Sequence, residues 1–235
     1  MTRLPHRYGF LLNMPDWFSF DSSDDAGRAV ARHILASADH AIGTRGVFRI
    51  ALPGGGTPPW VYAHLRTALA DWNNWLIYMG DERCVPVDHV DRSSLMAVEQ
   101  WLDPAGVPER NRFLTRAELG PDAAAGEYET VLRDAGPMDL VLLGIGPDGH
   151  TASLFPGRPD IGGRLAIAVH DSPKPPPERV SMTLEALHRA RERVLLTGRA
   201  GKEQALDALR ASAGTDHPLP AVRAMVAPSS VYEAP

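Results

Sequence analysis

Apolar residues gather in five short runs, at 47–52, 75–79, 138–145, 165–169 and 193–197, each followed by a turn-forming stretch. The runs are continuous rather than alternating, the pattern of strands covered on both faces in a parallel sheet. Between them the spacing changes to that of helices. Ala26, Val30, Ile34 and Ala38 recur every fourth residue behind Ser22 or Ser23 as N-cap, which predicts a helix to residue 41. Thr57 is placed to cap a second helix through residue 69, with Trp60, Val61, His64 and Leu65 on one side. Residues 121–132 and 202–211 carry two further helical patterns. Strands alternating with helices predict an α/β fold with right-handed crossovers. There is no internal repeat, and the segments read as a single domain over residues 1–235. The run SPKPPP at 172–177 reads as an extended surface loop or lid, short enough that it need not mark a boundary.

Composition narrows the partners. Of 235 residues 44% are apolar, enough for a substantial core. Lys and Arg number 24 against 29 Asp and Glu, a net charge of −5. That balance argues against nucleic acid, which needs a basic surface, but leaves room for a small anion in a local cationic pocket. The single cysteine, Cys84, excludes an internal disulfide framework and a multi-cysteine metal site. No apolar run reaches the roughly 18 residues of a membrane helix. The start MTRLPH is not followed by the apolar stretch of a signal peptide. The expectation is a cytoplasmic protein with no membrane partner. The sequence leaves its oligomeric state, monomer or dimer, open.

The chemistry lies in the loops, since ligands of open α/β sheets sit beyond the carboxyl ends of the strands. In LPGGGTPP (52–59) three glycines precede a helix start, which makes an anion cradle of backbone N–H groups and dipole. The two prolines lack donors, so the cradle relies on Gly55, Gly56 and Thr57 with its hydroxyl. The bland reading is a tight turn with no ligand. In GDERCVPVDH (80–89), Asp81, Glu82 and Arg83 directly follow a buried strand, costly unless they are paired or working. A surface salt-bridge cluster is the alternative. His89 reads as structural and Cys84 as a packed thiol.

LGIGPDGHTASLFPG (143–157) has Gly144, Gly146 and Gly149 in dinucleotide spacing, with Asp171 further on. Pro156, Gly157, Pro159, Gly162 and Gly163 leave no length for the crossover helix that fingerprint needs, so no nucleotide cofactor is implied. The glycines read instead as a sharp loop presenting Asp148 and His150, the histidine a general-base candidate. Arg179 follows the proline-rich run. Lys202 ends TGRAGK (197–202) at a helix start, where a cation opposes the dipole unless an anionic ligand relieves it. Each cation could also be simply solvated. A phosphate-binding P-loop would need glycine at Leu196 and Ser or Thr at Glu203. No His-Glu-x-x-His, Cys-x-x-Cys or histidine cluster implies a metal. No Gly-x-Ser-x-Gly elbow occurs, and Ser153 is not placed as a hydrolase nucleophile.

Taken in order, LPGGGTP, GDERCVPVDH, DLVLLGIGPDGHTASLFPG, RVSMTL and TGRAGK resemble the 6-phosphogluconolactonase family, which belongs with the glucosamine-6-phosphate isomerases/deaminases. The resemblance spans roughly residues 50–205 and implies a three-layer αβα sandwich with a mostly parallel, Rossmann-like sheet. Gly56 stands where the family usually has Ser, Ser93-Ser94 where it commonly has Ser-Asn, and the tail 229–235 matches weakly. The implied activity is hydrolysis of 6-phospho-D-glucono-1,5-lactone to 6-phosphogluconate, in the oxidative pentose phosphate pathway, without a cofactor. His150 would act as base, oriented by Asp81 or Asp148. Gly55, Gly56, Thr57, Arg179 and Lys202 would hold the 6-phosphate, and Arg83 would serve either phosphate or oxyanion. One alternative is the deaminase branch, whose members carry an acid soon after the Asp-Gly-His loop, where this chain has Ser153-Leu154-Phe155-Pro156. Another is a non-catalytic sugar-phosphate sensor, which usually carries an added DNA-binding segment.

Overall fold

In the computed structural model the described residues are 14–159, 161–212 and 216–235. The first residues, on which the reading of the chain start rests, lie outside them. Seven parallel strands form the central sheet. Their order is β1 (Asp16–Ser19), β10 (Ser229–Ala234), β9 (Glu192–Gly198), β6 (Leu140–Leu143), β2 (Phe48–Leu52), β3 (Trp75–Met79) and β5 (Arg112–Phe113). Four of the five apolar runs are the strands β2, β3, β6 and β9.

Alternation along these strands explains the layers. Ile50, Leu52, Ile77, Met79, Leu140, Leu142, Val194 and Leu196 belong to one core. Ala51, Tyr78, Val141, Leu143 and Leu195 belong to the other. Successive side chains point to opposite faces, so apolar residues at every position require cover on both sides. Helices α1 (Ser23–Arg45), α2 (Pro58–Leu65) and α3 (Ser93–Ala97), the last continued by a π-helical turn Val98–Leu102, cover the first face. Helices α4 (Pro121–Ala135), α5 (Leu184–Arg189), α6 (Glu203–Ala211) and α7 (Pro220–Ala224) cover the second. The three-layer αβα sandwich is therefore the observed architecture.

Local signals set the helix ends. Ser22 caps α1, its Oγ accepting from the Asp25 N–H at 3.1 Å, and Gly46 ends it in the left-handed region. Thr57 precedes α2 but makes no side-chain cap; its hydroxyl lies 3.4 Å from the Leu196 carbonyl instead. That helix stops at Leu65, short of residue 69, and Leu69 stands wholly in solvent. Leu69, the next apolar position of that pattern, meets no core.

The run at 165–169 is a correction. It forms β7 (Ala166–Val169), outside the parallel sheet. It pairs antiparallel with β8 (Arg179–Met182), which pairs antiparallel with β4 (Asp81–Arg83). This small sheet stands at the carboxyl end of the large one, because β4 begins directly after β3 at Gly80. Residues 81–83 and 179–182, read from sequence as loops, are thus strands. The neighbours of β2 are β3 on one side and β6 on the other, so the loops leaving β2 and β6 diverge at a topological switch point. A crevice forms at such points.

Candidate active site

The strand β4 sorts its three charged residues by alternation. Glu82 points away and is fully buried, accepting from the Arg83, Ser93 and Ser94 N–H groups at 2.8 Å each. It caps α3 from a neighbouring element, since Arg92 at the cap position offers no side-chain acceptor. Asp81 and Arg83 face the crevice, where both line a cavity of about 190 Å³. Gly55, Gly56, Thr57, His150, Arg179 and Lys202 line the same cavity. Every site residue expected from sequence except Asp148 therefore contributes to one wall.

Asp148 stands one step behind. Its Oδ1 lies 2.5 Å from Nδ1 of His150. A carboxylate can only accept, so Nδ1 carries the proton and Nε2 keeps its lone pair. Burial lowers the His150 pKa, while the Asp148 hydrogen bond and charge oppose the shift. Asp148 is itself held below the usual carboxylate range, chiefly by its His150 contact and by Lys174, against a desolvation effect of opposite sign. The second candidate for orienting the imidazole, Asp81, is engaged elsewhere: it accepts from Ser153 Oγ at 2.7 Å. Between the two acids, geometry selects Asp148 as the partner of Nδ1.

Gly146 makes this loop possible. A Cβ there would sit 2.0 Å from Cε1 and 2.1 Å from Nδ1 of His150, and 2.7 Å from Asp148 Oδ1. Gly146→Ala is expected to push the imidazole aside; on the reading of His150 as a general base, kcat should fall by about a hundredfold, the scale of a misplaced catalytic group. Steady-state kinetics beside a melting curve check it: kcat should fall with the fold kept.

Three cations line the same cavity. Arg83 on β4 is directly paired with Arg179 on β8. Like charges so placed repel, and an anion between them offsets the repulsion. Arg83 Nη1 donates to the Asp91 carbonyl at 2.9 Å, while its buried Nε has no partner among the described residues. Arg179 is more committed than sequence suggests: Nε and Nη2 donate to the carbonyls of Pro176, Pro175 and Lys174, and its guanidinium stacks over Phe155. Lys202 occupies the cap position of α6, with Nζ donating to Thr197 Oγ1 at 3.1 Å. Burial lowers its pKa, and the charge of Lys174 adds to the shift. Gly55 takes φ +93°, which glycine adopts at no cost and which lets the backbone turn across the cavity. In the described structure the Gly55 and Gly56 N–H groups have no protein acceptor.

Sequence reasoning missed Ser153, Phe155 and Lys174. Ser153 is buried and its Oγ links Asp81 to Arg179, the latter at 3.4 Å. Phe155 packs its ring 4.9 Å from that of His150. Ser153 and Phe155 lie on a loop already singled out and Lys174 in the proline-rich run, but no spacing marks any of the three as a site residue. Cys84 is half-buried, with its thiol pushed up to about 11 mainly by burial, as expected of a packed and unreactive group. His89 accepts from the Asp91 N–H at 3.1 Å and stays outside the cavity. Among the described residues no three His, Cys, Asp or Glu side chains gather as a metal-holding group. A wider, shallower depression lies at the opposite end of the strands. Its charged residues are already paired: Arg45 and Arg191 with Asp139, and His33 between Tyr232 and Glu192.

Known proteins resemble this chain in sequence and fold. Residues 21–231 match the family model of the glucosamine-6-phosphate isomerases/6-phosphogluconolactonase. A rice protein named "Probable 6-phosphogluconolactonase 3, chloroplastic" is 32% identical over 212 residues, 80% of this chain; the chain spans 63% of that relative's length. The 6-phosphogluconolactonase of Synechocystis is 40% identical over 177 residues, 71% of this chain and 72% of the relative. The solved 6-phosphogluconolactonase of Thermotoga maritima superposes with TM-score 0.84 at 26% identity, covering 94% of this chain and 99% of that one. On the match over residues 21–231, the chain belongs to the glucosamine-6-phosphate isomerase/6-phosphogluconolactonase family.

Proposed function

We propose that the chain hydrolyses 6-phospho-D-glucono-1,5-lactone to 6-phospho-D-gluconate, a step of the oxidative pentose phosphate pathway. One observation carries the reading: an imidazole with a free Nε2 and a cationic, glycine-lined nest share one cavity of about 190 Å³. The names of the relatives point the same way. The enzyme acts in the cytoplasm on this reading.

The lactone is an ester, so the task is to bring water to C1 and stabilise the oxyanion. His150 Nε2 takes a proton from water as the oxygen adds to the C1 carbonyl. Asp148 holds the tautomer and stabilises the imidazolium, and Asp81 adds a second negative charge nearby. Collapse breaks the bond from C1 to the ring oxygen, which takes the proton from His150. The new acid then ionises. Gly55, Gly56, Thr57 and Lys202 hold the 6-phosphate. Arg179 joins them at the phosphate, and Arg83, opposite Arg179 in the cavity, adds positive field to the phosphate or to the oxyanion. Remote phosphate binding orients the ring for attack.

The deaminase alternative needs a further acid after the Asp-Gly-His loop. At the corresponding stretch Phe155 fills the space against His150. That occupancy favours ester hydrolysis over proton transfer at a sugar amine. The sensor alternative predicts binding without turnover.

The experiment is proton release from freshly generated lactone. Purified protein should accelerate it well above the spontaneous rate; a rate equal to the spontaneous one rejects the proposal. Lys202→Ala is expected to raise KM by about tenfold or more, as loss of a charged contact does, with a smaller effect on kcat. An unchanged KM would remove Lys202 from the phosphate site.

A further inference from the structure

The proline-rich run at 172–177 is held as a strap by Arg179, which lines the cavity. Arg179 Nη2 donates to the carbonyls of Lys174 at 2.9 Å and Pro175 at 3.1 Å, and Nε to that of Pro176 at 3.1 Å. Ser172 closes the near end: its Oγ donates to the Lys174 carbonyl at 2.9 Å, and its N–H donates to the Pro177 carbonyl. The backbone of Lys174 is thereby fixed on both sides. Its side chain is 38% exposed, yet Nζ lies 3.8 Å from Asp148 Oδ1. That is the same oxygen that accepts from His150 Nδ1 at 2.5 Å.

One carboxylate oxygen therefore serves both an imidazole and an ammonium. A partly exposed pair at this distance contributes little and is easily given up. The positive field of Lys174 also reaches Lys202, the phosphate-binding lysine, and disfavours its charge. A phosphate dianion arriving at Lys202 would attract both ammonium groups at once.

We propose that Lys174 is a substrate-responsive cation: it pairs with Asp148 before the phosphosugar binds and swings to the phosphate of the bound lactone, leaving Asp148 to His150 alone. This rests on the phospholactone reading above. The charged groups that act on His150 are Asp148 on its own loop, Asp81 on β4 and Lys174 on the strap. The two acids favour the imidazolium and Lys174 opposes it. Moving Lys174 away makes the base stronger when the correct ligand is present, so phosphate binding is spent on catalysis as well as affinity. Lys174 is thus a binding residue for the phosphate and a positioning residue for the base.

The test is Lys174→Met in the full chain. Methionine keeps the length of the stem, and the strap is held by backbone carbonyls that the substitution leaves in place. Kinetics are compared on 6-phosphoglucono-1,5-lactone and on unphosphorylated glucono-1,5-lactone. The expected result is a fall in kcat/KM of about ten- to a hundredfold on the phospholactone, the scale of one charged contact. The loss on the unphosphorylated lactone should be several times smaller. The acidic limb of kcat/KM should move to higher pH, because a cation that opposes the imidazolium is gone. Lys174→Arg should recover most of the phospholactone loss. Equal losses on both lactones with an unmoved acidic limb would show a merely structural strap and overturn the proposal. So would a Lys174→Met variant that matches the wild type. If the wild type itself fails to hydrolyse the phospholactone, the functional reading falls as well; if only the variant comparison fails, the Lys174 assignment falls alone.

Discussion

Replacing His150 with alanine is expected to lower kcat by about two orders of magnitude or more, the contribution of a positioned general base. Among the described residues that line the cavity, the imidazole is the one group with a free ring nitrogen and a hydrogen-bonded carboxylate behind it. Its removal leaves the glycine-lined, cationic nest proposed to hold the phosphate intact, so KM should change little. The pH dependence follows from the same group. Burial lowers its pKa from the ordinary value of about 6.5, so the neutral, competent form persists to lower pH. Activity in kcat/KM should fall as pH drops through that lowered value, and the alanine variant should lose this acidic limb. A variant with full kcat would assign the proton transfer to another residue.

The second large effect concerns stability. Glu82→Ala is expected to destabilise the fold by about 3–5 kcal/mol, the range for breaking a buried charged network. Three backbone N–H groups at 2.8 Å lose their acceptor, and Arg92, 3.5 Å from the carboxylate, loses one of its two carboxylate neighbours. The N-terminus of α3 is then left without a cap. Denaturant unfolding measures it, and Glu82→Gln should lose less because it keeps an amide oxygen. A loss below about 1 kcal/mol would mean that water or a neighbour replaces the carboxylate.

The same residue shows what a sequence can and cannot carry. Asp81, Glu82 and Arg83 were legible as charges that must be paired or working, but their division between cavity and cap depends on β4 being a strand. That strand is charged, and its burial is satisfied by hydrogen bonds rather than by hydrophobicity, so hydropathy does not reveal it. β10 is hidden for the same reason: Ser229, Ser230 and Glu233 are buried, and Glu233 accepts from Ser19 and Arg210. Where burial is apolar, at β2, β3, β6 and β9, the runs identify the strands to within a few residues. The run at 165–169 misled because its inner residues Ile167 and Ala168 are only half-buried in a small antiparallel sheet. At the site, loop chemistry pointed to the residues that gather, since glycine, cation and imidazole are unusual after buried strands. The choice between Asp81 and Asp148 needed coordinates, because it turns on Ser153, a side chain with no distinguishing pattern of its own.

All of the chemistry above depends on phosphate and reacting carbon spanning the cavity in one orientation. A crystal structure with 6-phosphogluconate bound tests this most directly. The phosphate should lie on the Gly55, Gly56 and Thr57 backbone beside Lys202, with the C1 carboxylate within hydrogen-bond reach of His150 Nε2, directly or through one water. A phosphate bound elsewhere, or a C1 carboxylate beyond one water's reach of that nitrogen, would contradict the account.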